Sequence, residues 1–208
     1  MFSILRTLSL SLLCLSLLSA GCGKTGNPSE PESPQYAVTC VGVLPAALPV
    51  GESTTPAGEK MLKGGLPVLD KSLQKYLISR PDIRLVSDGQ LSGMDNLPAQ
   101  PLARAKVIAD RLSCNTILET TLRRFQARVG RGYSVEEPAS VAFDYRLLSI
   151  PEGVVLCRGT FDKTQQSVME NILNLKGNDA FTWMTAEQLI EQGLIDRFAD
   201  CTYLVGED

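Results

Sequence analysis

Between residues 139 and 147 apolar side chains occupy every second position. Ala139, Val141, Phe143, Tyr145 and Leu147 alternate with Ser140, Ala142, Asp144 and Arg146. A period of two puts one set on a single face of a pleated strand. This stretch is therefore a strand with one buried face, and it needs both edge partners and a cover. Pro151-Glu152-Gly153 supplies a tight turn, and residues 154–161 supply the next strand. Upstream, residues 115–129 read as a long third strand running into a turn at Gly130-Arg131-Gly132. Together these three strands make an antiparallel meander.

The residues before the meander have a different rhythm. Residues 36–45 (YAVTCVGVLP) form a β-rich apolar run, expected as a buried strand. Residues 46–65 are loop-like. A helix is expected from Leu66, with Gly65 as N-cap and Pro67 in the first turn. Its stripe is Leu66, Leu69, Leu73, Tyr76 and Leu77, and Arg80-Pro81 ends it. Residues 83–87 give a short strand and residues 89–94 a helical turn. Leu102, Ala105, Ile108, Ala109 and Leu112 mark another helix. After the meander, residues 164–175 read as a helix with Val168, Ile172 and Leu175 aligned. Thr185-Ala186-Glu187-Gln188 opens a last helix as a capping box, expected to stop before Gly193.

Right-handed crossovers make the first three strands parallel. The expectation is an α/β domain over residues 36–208. It has a mixed sheet of about five strands (β-α-β-α-β, then an antiparallel meander), covered by helices and followed by C-terminal helices. A composition 44% hydrophobic and 21% charged suffices for one such core.

Residues 1–35 do not belong to that core. Residues 8–18 (LSLSLLCLSLL) are an eleven-residue apolar run behind Arg6, too short for a permanent span but fitting a signal. Ser19-Ala20-Gly21-Cys22 follows and resembles a lipobox, with Ser19 where leucine is more usual. That resemblance implies cleavage after residue 21 and acylation of Cys22, each buried methylene contributing roughly 0.8 kcal/mol to anchoring. Residues 23–35 (GKTGNPSEPESPQ) read as a tether with a reach of roughly 45 Å. Gly23 stands where an inner-membrane retention aspartate would be, so resemblance to sorting rules implies the outer membrane. The domain is expected to face the periplasm, though the sequence leaves the exterior open. The Gly23-Lys24-Thr25 triplet lacks the upstream glycine of a phosphate-binding loop, Leu18 standing in its place.

Little else in the chain carries chemistry. It has no histidine, which removes the commonest general base and metal ligand. The formal charge of -3 gives no broad attraction for nucleic acid. Besides Cys22, the exported part holds Cys40, Cys114, Cys157 and Cys201, with no CxxC pair for a redox site or zinc ribbon. Three full disulfide pairings are open, and so is burial as free thiols. A bridge is expected to involve Cys157 or Cys201, because Cys201 lies near a chain end that can reach a sheet strand. The acidic residues, Asp70 and Asp88 among them, are scattered. Glu119 and Asp144 could face each other across the hairpin. Arg123, Arg124, Arg128 and Arg131 crowd one hairpin end beside Phe125 and Tyr133, and Ser87-Asp88-Gly89 reads as a helix cap. Trp183 is expected in the core. No catalytic residue, metal site, cofactor or enzyme activity is expected.

The element order and several segments resemble the domain shared by the TolB amino-terminal domain, the CsgG curli-secretion lipoproteins and LpoB-type lipoproteins. The segments are VGVLP (41–45), LQKYLIS (73–79), IRLVSDGQL (83–91) and ARAKVIADRLSCNTILETTLRRF (103–125). The resemblance covers about residues 37–162. Residues 165–175 and 181–194 look like the tail of uncharacterised bacterial lipoproteins. The implied function is that of a non-catalytic envelope lipoprotein binding another envelope component, as an accessory in assembly or secretion. The alternative is a subunit of an oligomeric outer-membrane secretion channel.

Overall fold

The computed structural model describes residues 36–51, 55–131, 134–165 and 183–205. The expected signal over residues 1–21, Cys22, the expected tether over 23–35 and most of the helix expected over 164–175 lie outside them. Residues 36–208 form one compact unit.

The elements follow in the order β1 (Val41–Val43), α1 (Pro56–Leu77), β2 (Ile83–Leu85), α2 (Asp88–Ser92), α3 (Pro101–Leu112), β3 (Thr116–Gln126), β4 (Val129–Arg131), β5 (Ser134–Glu137), β6 (Ser140–Ser149), β7 (Val154–Thr164) and α4 (Ala186–Phe198). Five strands form one sheet in the order β2-β1-β3-β6-β7. β1 pairs in parallel with both β2 and β3, while β6 is antiparallel to β3 and to β7. The mixed α/β sheet is the architecture expected from the sequence.

Helices cover the two faces of the sheet unequally. α1 and α4 lie over Val41, Val43, Leu118, Leu122, Phe143, Tyr145, Leu147 and Phe161, and Leu69, Leu73 and Leu77 of α1 are fully buried there. The alternating side chains of β6 that define its apolar face therefore meet helices of the same domain. α3 covers only one end of the opposite face, packing Ala105, Ile108 and Ala109 on Ile117 and Leu148.

Several boundaries differ from the sequence expectation. α1 begins ten residues before Leu66. Thr55 accepts a hydrogen bond from Gly58 N at 3.1 Å and Pro56 occupies the first turn, so a better cap lies upstream of Gly65. Gly64, Gly65 and Pro67 are helical despite their poor propensity, because burial of this face outweighs it. The close approach requires Gly65, where a Cβ would come 2.4 Å from the Phe125 Cγ. β3 ends at Gln126, and the expected turn at Gly130 is instead part of β4, which pairs with β5. Gly130 has φ 121°, a conformation that favours glycine, and stands across from a bulge whose extra residue is Glu136 on β5. Thr164 closes β7 and does not begin a helix. The Thr185–Gln188 capping box forms, but α4 continues through Gly193 to Phe198.

Candidate functional site

The four cysteines outside residues 1–35 are joined in two disulfides. Cys40, just before β1, bridges Cys114, just after α3, and Cys157 on β7 bridges Cys201 beyond α4. The first bridge stands beside Asn115, whose Oδ1 accepts from the Thr39 and Cys40 N–H groups and whose Nδ2 donates to Ala37 O. The start of the domain is thereby fixed to the end of α3. The second bridge ties the chain after α4 to the edge strand of the sheet.

A cavity of about 410 Å³ opens at the C-terminal ends of β1 and β2, between α1 and α2. Val43, Pro45, Leu73 and Val86 give it apolar walls, and Asp70 and Asp88 give it acidity. Asp70 is half-buried on α1, and its Oδ1 accepts from Ala46 N at 2.7 Å. Burial pushes its carboxyl above the usual range. The Ala46 hydrogen bond works against that shift, and the nearby charge of Asp88 adds to it. The two aspartates lie eighteen positions apart, on different helices. No local spacing could have joined them; only the crossover from α1 through β2 to α2 does so.

Ser87, also in this cavity, is occupied. Its Oγ accepts from Gln90 N and bonds Gln90 Oε1, while Gln90 Oε1 also takes the Ser87 N–H. That reciprocal cap satisfies the helix start and leaves the hydroxyl unactivated. Lys71 is engaged with Glu187 of α4 at 3.0 Å. Such a set offers hydrogen-bond acceptors against apolar walls. Among these lining residues no nucleophile is paired with a base.

The uncovered half of the second sheet face is a lattice of ion pairs. Glu119 pairs with Arg146, Arg123 with Asp144 at 2.8 Å, and Arg124 with Asp162. Glu119 and Asp144 therefore do not face each other, since the register places Glu119 opposite Arg146 and Thr121 opposite Asp144. The arginines of the hairpin end are likewise not a free basic patch. Arg123 and Arg124 hold carboxylates, and Arg128 donates to the carbonyl of Trp183 at 3.2 Å, while the Arg131 side chain and Tyr133 lie outside what is described. Trp183 is half-buried at the approach to α4, with its Nε1 buried and unbonded among the described residues. Also among the described residues, no cluster of three or more potential metal ligands exists, and no helix is long and apolar enough to cross a membrane.

The fold and these sites define a disulfide-bonded α/β domain whose described helices cover one sheet face fully and the other in part. No protein-family model matches the chain. No curated protein matches it either. Among solved structures, it is similar to the PelC dodecamer from Paraburkholderia phytofirmans at 17% identity, over 77% of this chain and 89% of that one, with TM-score 0.41. Lipoprotein GNA1162 from Neisseria meningitidis matches at 14% identity, over 78% and 99%, with TM-score 0.42. The LpoB C-terminal domain from Salmonella enterica matches at 15% identity, over 62% and 86%, with TM-score 0.38. Likeness at this level concerns chain trace alone and assigns no role.

Proposed function

We propose that the chain is a non-catalytic lipoprotein of a bacterial cell envelope. In this reading acyl chains on Cys22 anchor it, residues 23–35 tether it, and residues 36–208 recognise another envelope protein. The observation that carries the reading is the pairing of all four cysteines of the folded unit. Disulfides persist in oxidising compartments outside the cytosol, which agrees with an export signal over residues 1–21. The sorting pattern at Gly23 supports the outer membrane, and the reading has the domain face the periplasm.

Recognition, rather than bond making, suits the groups on offer: a cavity with apolar walls and acceptor oxygens, and an uncovered sheet face. A lipid anchor would hold the domain near its partner and raise the effective concentration without new contacts. The channel alternative gains no support from β6, whose apolar stripe is used against α1 and α4. Photo-crosslinking from Gln74 and Asp88 at the cavity in intact cells, read by mass spectrometry, tests the reading. One envelope protein should be recovered from both positions. Capture of cytosolic proteins alone would contradict it, and discrete conductance from the lipidated chain in planar bilayers would favour a channel.

A further inference from the structure

β7 is the last strand of the sheet, and among the described residues only β6 pairs with it. Gln165 N donates to Ala139 O at 3.0 Å, which makes that opposed pair a hydrogen-bonded one. Antiparallel ladders alternate, so Lys163, Phe161 and Gly159 direct their main-chain groups toward β6. Arg158, Thr160, Asp162 and Thr164 then direct theirs outward, to the edge that no described strand pairs with. Phe161 is buried under α4, so the side chains of these four residues stand on the opposite face, at the end that no described helix covers. Edge strands are commonly blunted by proline, bulges or charged side chains, and Arg158, Asp162 and Lys163 supply such charges here, admitting only a partner strand that neutralises them. Here the bulge falls near Leu156, and the stretch 158–164 is regular and free of proline.

The charges along this edge are unbalanced in one copy. Arg158 is exposed and stands directly opposite Arg146, whose guanidinium is taken by Glu119. Like charges directly opposite are unfavourable. Among the described residues the Arg158 side chain has no ion pair or hydrogen bond. Four residues on, the Asp162 carboxylate is held by Arg124 but remains 51% exposed, with oxygen surface to spare.

We propose that the β7 edge binds β7 of a second copy of this chain, antiparallel, about a twofold axis through Thr160. That register sets Arg158 of each copy directly against Asp162 of the other. Arg158, Thr160 and Asp162 all present outward main-chain groups, so the three opposed pairs are all of the hydrogen-bonded kind, giving about six bonds. An axis through Arg158 or Asp162 would place like charges together. An axis through Gly159 or Phe161 leaves Arg158 facing a threonine. The interface is isologous, and it continues the sheet from one copy into the other. It does not depend on the lipid anchor or on the envelope partner.

The test uses the full chain, purified in detergent and sized by light scattering, with thermal melting to check folding. The wild type should be a dimer. Arg158→Glu alone and Asp162→Arg alone should each weaken self-association by about tenfold or more. An equimolar mixture of the two variants should recover the dimer, because both cross-copy pairs are then opposite in charge. Thr160→Cys should give a covalent dimer with a short bis-maleimide, since such hydrogen-bonded pairs lie about 5.5 Å apart at Cα, within that reagent's reach and wider at Cβ than a direct disulfide spans. Arg84→Cys on the other sheet edge should not. A monomeric wild type would overturn the proposal, as would a mixture that stays monomeric or a Thr160→Cys chain that does not crosslink. The crosslinking arm decides the question if either charge variant fails to fold.

Discussion

Gly193, midway along α4, lies against the ring of Phe161 on β7. A Cβ built on it would come 2.6 Å from the Phe161 Cγ and 2.9 Å from the Phe143 Cε1. The helix reaches the sheet at this point because it lacks a side chain there. A glycine that looked like a helix stop in the sequence is thus a contact position, and the same holds for Gly65 of α1 against Phe125.

Gly193→Ala and Gly65→Ala should each lower stability by about 1–3 kcal/mol through overpacking. Gly64→Ala is the matched control. Its Cβ meets nothing within 4 Å, and it should raise stability by about 0.5–1 kcal/mol through better helix propensity. Urea unfolding of the three variants checks the ordering. A Gly193→Ala protein as stable as Gly64→Ala would remove the close packing of α4 on Phe161.

Denatured, unreduced protein from the envelope should show no free thiol at Cys40, Cys114, Cys157 or Cys201. The bridges close loops with sequence separations of 74 and 44 residues. On a chain-entropy basis, losing either costs about 4 kcal/mol. Paired serine substitutions at 40 and 114, or at 157 and 201, should show this in denaturant midpoints. Reactive thiols in the unreduced protein would contradict the pairing and weaken the exported address that rests on it.

Asp70 and Asp82 should respond to pH with opposite signs. Burial raises the folded pKa of Asp70, so its ionisation opposes folding. The penalty is absent below its unfolded pKa of about 3.9 and grows as pH rises through the folded value. Asp70→Asn, which keeps an acceptor for Ala46, should therefore gain stability on the wild type at neutral pH and lose that advantage in acid. Asp82 is held low chiefly by its hydrogen bonds from Arg80, at 3.0 Å from Nε and 2.5 Å from Nη2. Its contribution is present above its unfolded pKa and lost as pH falls through the folded value. Asp82→Asn should be destabilising at neutral pH and nearly neutral in acid. Equilibrium unfolding from pH 3 to pH 7, a span of about 4 units around these values, separates the two.

The fold was legible where periodicity and burial agree. The alternation through Val141, Phe143, Tyr145 and Leu147 marks β6, and Leu69, Leu73 and Leu77 mark the buried stripe of α1. Legibility failed where tertiary contact overrides local preference. The glycines and Pro67 near the middle of α1 read as a helix start, whereas Thr55 caps the helix ten residues earlier. The meeting of Asp70 and Asp88 in one cavity, and the division of the arginines among separate carboxylates, depend on crossovers and strand register that no local pattern encodes. The free edge of β7 is read only from ladder alternation and register.

In the proposed function an acylated Cys22 tethers this domain in the envelope. Metabolic labelling of cells with a fatty-acid analogue tests it most directly, comparing the wild-type chain with Cys22→Ala. The wild type should carry label and fractionate with membranes, and Cys22→Ala should carry none and persist as precursor or soluble protein. Label retained on Cys22→Ala, or none on the wild type, would contradict the account.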